Sequence, residues 1–141
     1  FIMKAKKFMS IVGALTLTLG MVASLPASAS INDTSWAAGG SYIRDKDNAS
    51  SVYVQNTSDY YYATVSVYGR KSNDNTDYEV NRNNKNGQVV VTHDLSIPAR
   101  SQRLIRQFIY ENGNQFAKAV FSGGGSGWWS PDSVGSYTYA N

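Results

Sequence analysis

Few side chains in this sequence could carry out acid-base or nucleophilic chemistry. His93 is the only histidine, and Asp94 follows it directly. A hydrolytic triad needs its base and its orienting carboxylate within hydrogen-bond distance, whereas neighbouring residues of a strand point to opposite faces of a sheet. The sequence also contains no Gly-x-Ser-x-Gly motif, which would mark a nucleophile elbow. We therefore expect no catalytic residues of the serine-hydrolase kind.

Carboxylates and metal ligands are equally sparse. The only glutamates, Glu79 and Glu111, lie beside predicted turns, where solvated side chains are expected rather than the acid and base of a glycosidase. Residues 45–48 and 73–77 alternate oxygen-bearing side chains as a calcium loop does, but both lack its glycine and its final glutamate. The absence of cysteine excludes thiolate metal sites and disulfides. These observations predict a protein that is not an enzyme and needs no metal or cofactor.

Aromatic residues near the C-terminal end are the main candidates for ligand binding. Four of them could form a platform for a glycan or another ligand: Trp128, Trp129, Tyr137 and Tyr139. The alternative is that one tryptophan fills the core, because neighbours on a strand face opposite ways. Arg100, Arg103 and Arg106 could mark a contact with an anionic surface, but in a strand they would not share one face.

Short runs rich in β-branched and aromatic residues predict strands. They lie at residues 51–55, 60–69, 78–80, 88–95, 104–110 and 115–121. The first two runs suit a hairpin across residues 56–59, and a second hairpin is predicted across Glu111–Asn114. Asn86 and Gly87 form another turn signal.

Residues 100–110 fit two kinds of secondary structure. Leu104, Ile105, Phe108 and Ile109 could form one face of a helix, yet the run is rich in β-favouring residues and an Asn-Gly turn follows. We favour the strand and leave the helix open. Short strands at roughly ten-residue spacing predict an all-β fold, a small antiparallel β-sandwich or barrel-like domain.

The N-terminal segment has the layout of a cleavable secretory signal peptide. Lys4, Lys6 and Lys7 precede an apolar stretch over residues 8–25, and small residues at 27–29 form a cleavage site. We expect residues 1–29 to be a helical, cleaved signal peptide and residues 30–141 to be a single secreted β domain. The apolar stretch is diluted by glycine, serine and threonine, which disfavours a membrane anchor.

Removing the signal peptide changes the charge of the chain. The sequence has 13 Lys+Arg and 10 Asp+Glu. Three lysines and no acidic residue lie within residues 1–29, so ten basic and ten acidic residues remain after cleavage. A nucleic-acid partner is therefore not expected, and neither is a membrane span after cleavage. Export without disulfides favours a Gram-positive bacterial source and an extracellular location.

Two strings in the C-terminal half resemble a group of small uncharacterised exported proteins of Firmicutes. One runs from Gln107 to Gly113, and the other is the Ser-Gly-Trp-Trp-Ser-Pro-Asp-Ser-Val segment at residues 126–134. An early segment at residues 48–54 is also similar. The resemblance implies a bacterial exported β domain, and it implies no catalytic residue.

The sequence therefore predicts a secreted, non-enzymatic β-sandwich protein. We expect it to bind a cell-surface or extracellular ligand, such as a cell-wall glycan. The alternative is a bacteriocin-like secreted antagonistic protein, which some exported proteins of this general type are considered to be.

Overall fold

Regular structure in this protein consists of short β-strands. The computed structural model describes residues 34–72 and 74–141, and over these residues it contains ten strands and no helix. In chain order they are β1 (Thr34–Ala37), β2 (Ser41–Asp45), β3 (Val52–Asn56), β4 (Ala63–Arg70), β5 (Arg82–Asn83), β6 (Val89–Val90), β7 (Leu95–Ile97), β8 (Ser101–Ile105), β9 (Phe116–Gly123) and β10 (Ser126–Ser130). The predicted signal peptide, residues 1–29, lies outside the described residues.

The strands form two antiparallel four-stranded sheets that pack together as a β-sandwich. The first sheet has the order β1-β10-β3-β8, and the second has the order β2-β9-β4-β7. Strands β5 and β6 pair only with each other. The prediction of a small all-β antiparallel sandwich is confirmed.

Alternation along the strands places one face of each sheet in the core. In β4, Ala63, Val65 and Val67 are buried while the residues between them are partly exposed, as the period of two predicted. Where the two sheets meet, Trp36 of β1 stacks on Phe121 of β9 with ring centroids 4.2 Å apart. This stacked pair joins the two sheets within the apolar core.

The predicted hairpin between residues 51–55 and 60–69 is wrong. Strand β3 lies in the first sheet and β4 in the second, so the loop between them crosses the sandwich instead of closing a hairpin. The buried amide of Asn56 sets this path, because its Nδ2 donates to the main-chain oxygens of Tyr61 and Ile97. The three tyrosines at 60–62 therefore lie in the loop and not on the strand, which begins at Ala63.

The second predicted hairpin, across Glu111–Asn114, is also wrong. Of residues 100–110, only Ser101–Ile105 forms a strand, and it pairs with β3 rather than with β9. The strand prediction is therefore confirmed for these five residues, and the helix is not formed. The strand ends at Ile105, and two residues later the buried side chain of Gln107 accepts a hydrogen bond from the main-chain nitrogen of Ile109.

The predicted strand at residues 88–95 is divided into two short strands. Val89–Val90 pairs with β5 across the predicted turn, where Gly87 has a φ of +79°. Leu95–Ile97 instead joins the edge of the second sheet beside β4. Asp94 separates the two pieces because its φ of +54° turns the chain out of extended geometry.

Two aspartates in the long loop that follows β4 hold it in place through hydrogen bonds and ion pairs. Asp77 accepts hydrogen bonds from Arg70 of β4 (2.6 Å) and from Lys118 of β9 (2.9 Å). Asp74 accepts one from the main-chain nitrogen of Thr76 (2.7 Å) and one from the hydroxyl of Tyr78. The described residues of the calcium-like run 73–77 thus form an Asx-type turn and ion pairs.

These contacts set the acid sensitivity of the fold. The hydrogen bonds from Tyr78 and Thr76 lower the pKa of Asp74 from 3.8 to about 2. Burial alone would raise the pKa of Asp77, but the bonds from Arg70 and Lys118 outweigh burial and hold it below its usual value.

We expect the free energy of unfolding to fall as the pH drops from about 5 towards about 2. As the pH falls, the unfolded chain takes up protons at the ordinary aspartate pKa, before the folded chain does. The stabilisation that the two ionised aspartates give to the fold is therefore complete above that pKa and is lost below it. Urea denaturation across this pH range should give a flatter curve for Asp74→Asn/Asp77→Asn than for the wild type. Asp59→Asn, at an exposed carboxylate beside Arg100, is the control. Parallel curves for the double variant and the wild type would contradict this explanation.

Candidate functional site

The two adjacent tryptophans lie on opposite sides of β10. Trp129 is fully buried in the core, whereas the side chain of Trp128 is 45% exposed on the outer face of the first sheet. The interpretation that one tryptophan fills the core is therefore confirmed. The prediction that Trp129 is a binding residue is wrong, because its ring is enclosed between the sheets and cannot reach a ligand.

Trp128 lies on a partly polar surface. It pairs across the sheet with Ser35 of β1 and with Gln55 of β3. Gln55 in turn pairs with Gln102 of β8. The exposed indole ring thus lies beside side-chain amide and hydroxyl groups on the outer face of the first sheet.

The chain after β10 returns along the outer edge of the first sheet. Leu104 of β8 donates its main-chain N–H to the oxygen of Thr138 (2.9 Å), and its own oxygen accepts from Ala140 (2.8 Å). The ring of Tyr137 packs on Tyr53 of β3 with centroids 5.4 Å apart. We call residues 136–141 the tail. The tail therefore forms the outermost layer beside β8.

Tyr139 in the tail is the predicted binding residue with the most distinctive surroundings. Its side chain is 39% exposed, and the guanidinium of Arg106 lies 3.6 Å from the centroid of its ring. A main-chain oxygen of Asn141 accepts a hydrogen bond from the same guanidinium. The stacking and the hydrogen bond fix the orientation of Arg106, and the ring keeps an exposed portion.

Arg106 and Tyr139 border an open cavity of about 500 Å³, which we call the tail cavity. Its wall combines three basic side chains with hydroxyl, amide and a few small or apolar groups. The lining residues are Ala49, Ser50, Ser51, Arg82, Asn83, Asn84, Lys85, Leu104, Arg106, Ser133, Val134, Gly135 and Tyr139. They come from the β2–β3 loop, the β5–β6 hairpin, the end of β8 and the segment after β10.

Hydrogen bonds fix the serines of the tail cavity. The main-chain N–H of Ser133 donates to Ser50 Oγ (3.0 Å), and Ser133 Oγ donates to the main-chain oxygen of Ser51 (2.9 Å). The Trp-Ser-Pro-Asp-Ser string therefore forms part of the cavity wall through its last residue. Preformed walls of this kind are typical of ligand sites.

The tail cavity has a basic wall. Arg82, Lys85 and Arg106 line it, and none of the lining residues is acidic. Arg82 also forms an ion pair with Glu111, which does not line the cavity: one of its guanidinium nitrogens lies 3.0 Å from a carboxylate oxygen of Glu111. The cavity thus offers donors for oxygen-rich ligands, and its basic groups suit ligands that carry negative charge.

The three arginines singled out in the sequence do not form one surface. Arg106 lines the tail cavity, whereas Arg100 has a φ of +53° and lies 3.5 Å from the exposed carboxylate of Asp59 in the β3–β4 loop. Arg103 donates to the main-chain oxygen of Gln102. A common anionic contact through all three is therefore not supported by their positions.

His93 has partners that the sequence did not suggest. Its Nε2 lies 3.0 Å from a carboxylate oxygen of Glu79, and its ring stacks on Tyr68 at 5.0 Å. Asp94 instead donates its main-chain N–H to Ser66 Oγ. Over residues 34–72 and 74–141, no three His, Cys, Asp or Glu side chains are grouped so that they could hold a metal ion.

Comparisons of the chain with protein-family models, with curated proteins and with solved structures return no match. The resemblance to exported Firmicutes proteins stays a prediction. In the part of the chain that the structure describes, no helix is long and apolar enough to span a membrane.

Sequence reasoning missed most of the tail cavity. Arg82, Asn84 and Lys85 belong to a polar stretch that predicted only a turn, and Ser50 lies in a segment without distinctive chemistry. The Asn-Gly turn does predict the β5–β6 hairpin, which carries Arg82, Asn84 and Lys85. Nothing in the spacing indicates that this hairpin lies outside both sheets and beside the tail.

The different positions of the two tryptophans predict different effects on stability. Trp129→Ala should lower the free energy of unfolding by about 3–5 kcal/mol, because it leaves a large hole in the core. Trp128→Ala should change it by less than about 1 kcal/mol, as is usual for exposed positions. Urea denaturation of both variants measures the difference, and equal losses would contradict the assignment of the two rings.

Proposed function

We propose that this protein is a secreted, non-enzymatic binding protein and that its ligand is a cell-surface glycan or wall polymer held in the tail cavity. The observation that carries the proposal is the exposed part of the Tyr139 ring at the border of a cavity rich in hydroxyl, amide and guanidinium groups. Export through the signal peptide predicted at residues 1–29 would bring the cavity into contact with such ligands.

The chemistry of the tail cavity suits a sugar better than an apolar ligand. Ser51 and Ser133 offer hydroxyl oxygens, Asn83 offers an amide, and Arg106 offers N–H donors in a fixed orientation. Sugar hydroxyls pair with such groups, and the C–H face of a sugar ring stacks on an aromatic ring. Only Ala49, Leu104 and Val134 provide aliphatic side chains to the lining.

The same lining supports binding without catalysis. It contains no histidine, aspartate or glutamate, which are the usual general acids and bases. The pair of His93 and Glu79 lies on other elements and is not part of the lining. We therefore propose that the bound ligand leaves unchanged.

Pull-down with purified Gram-positive cell walls tests the proposal. Mature wild-type protein should sediment with the walls, and Tyr139→Ala should bind about tenfold more weakly or worse, which is the size of loss expected when an aromatic contact with the ligand is removed. Tyr60→Ala is the matched control, because Tyr60 is 87% exposed and lies in the β3–β4 loop, away from the tail cavity. Circular dichroism would verify that both variants are folded.

Two outcomes would contradict the proposal. One is that the wild type binds no wall fraction or glycan, and the other is that folded Tyr139→Ala binds as well as Tyr60→Ala. Growth inhibition of related bacteria by the purified wild type, without wall binding, would instead support the bacteriocin-like alternative.

A further inference from the structure

A lysine and an aspartate are in direct contact inside the protein. Lys46 follows β2, and Asp132 lies two residues after β10. Lys46 Nζ lies 2.5 Å from Asp132 Oδ1, and the two side chains are 0% and 9% exposed. The pair therefore joins the end of a strand in the second sheet to the end of a strand in the first.

The surroundings of the pair hold both groups in one orientation. Lys46 Nζ also donates to the main-chain oxygen of Ser50 at 2.6 Å. The main-chain N–H of Asp47 donates to Asp132 Oδ2 at 2.8 Å. The N–H of Asn48 and the hydroxyl of Ser50 approach Oδ1, each at 3.4 Å. Each oxygen of the carboxylate thus has a separate set of donors.

Burial makes the charged state of this pair expensive. Removing an ammonium and a carboxylate from water is unfavourable for each ion, and their mutual attraction must offset both penalties. Burial accordingly lowers the pKa of Lys46, although the hydrogen bond to Asp132 opposes the shift. A neutral amine in contact with a carboxyl group, shielded from water, is the arrangement from which an amide forms.

We propose that Lys46 and Asp132 condense to an intramolecular isopeptide bond. Lys46 Nζ first passes one proton to Asp132 Oδ1, which gives a neutral amine and a neutral carboxylic acid. The lone pair of the nitrogen then attacks Cγ, and the negative charge that develops on Oδ2 is stabilised by the N–H of Asp47. A second proton moves from nitrogen to Oδ1, the Cγ–Oδ1 bond breaks, and Oδ1 leaves as water.

The product amide would find its hydrogen-bond partners already in place. Its oxygen is the former Oδ2, which accepts from Asp47, and its remaining N–H is positioned to donate to the main-chain oxygen of Ser50. Both buried charges disappear, and both polar atoms of the amide are satisfied. The site therefore fits the product at least as well as it fits the ion pair.

The position of the bond would give it a large effect on stability. It would link residues 86 positions apart in the chain and so enclose six of the eight strands of the two sheets. A covalent cross-link over a long loop stabilises a fold chiefly by restricting the unfolded chain. Because the sequence has no cysteine, no disulfide could do this.

Peptide mapping of the denatured mature protein tests the proposal. Trypsin should release a branched peptide in which residues 45–70 are joined to residues 119–141, lighter by one water than the sum of its two parts. Lys46→Met and Asp132→Ala should give only linear peptides. Asp132→Asn should form the same branched peptide by losing ammonia instead of water.

Another ion pair in the same chain provides the internal control. Lys118 Nζ lies 2.9 Å from Asp77 Oδ2, but these side chains are 17% and 35% exposed. Tryptic cleavage should therefore occur normally after Lys118. Recovery of the wild-type peptides 47–70 and 119–141 in full and unlinked would overturn the proposal. This result needs only the wild type, so a variant that fails to fold does not affect the test.

Discussion

The contact between Lys46 and Asp132 is the constraint on which the arrangement of one end of the molecule depends. It joins the two sheets where β2 and β10 end, and Ser50 extends it to the loop before β3. Gln107, fully buried after β8, donates to the same main-chain oxygen of Ser50. Three irregular segments are therefore fixed by one polar network, and such networks specify a single arrangement because each unmet donor or acceptor would be costly.

The tail cavity is a consequence of this network. Ser50 bonds to Asp132 and to the N–H of Ser133, so the segment after β10 is held against the loop before β3. Ser51 and Ser133 then form one side of the cavity, and Tyr139 with Arg106 forms another. The wall of the tail cavity is thus built partly on groups that also hold the sheets together. Rigid support of this kind reduces the ordering that binding would otherwise require.

Sequence patterns predicted some of the extended segments, but they missed β1, β2 and β10 and did not indicate which strands pair. Alternation over residues 60–69 is a local property, and it predicted the core-facing residues of β4, although the strand begins at Ala63 and not at Tyr60. Pairing depends on contacts far apart in sequence: β3 lies between β10 and β8, and the buried amide of Asn56 directs the following loop to the opposite sheet. The Asn-Gly turn at residues 86–87 was located correctly, whereas no periodicity indicates that β8 ends at Ile105 or that the side chain of Gln107 is buried just after it. The same limit applies to the cavity, since Arg82 and Tyr139 meet there only through tertiary structure.

The tail has a further consequence for the exposed edges of the sandwich. Strand β8 forms one border of the first sheet, and an uncovered border offers free N–H and C=O groups to any passing chain. The tail forms hydrogen bonds with both the main-chain N–H and the main-chain oxygen of Leu104, and it thereby occupies part of that border. At the far border of the second sheet, β7 is only three residues long. Strand addition by a second copy of the chain is thereby discouraged at these two borders.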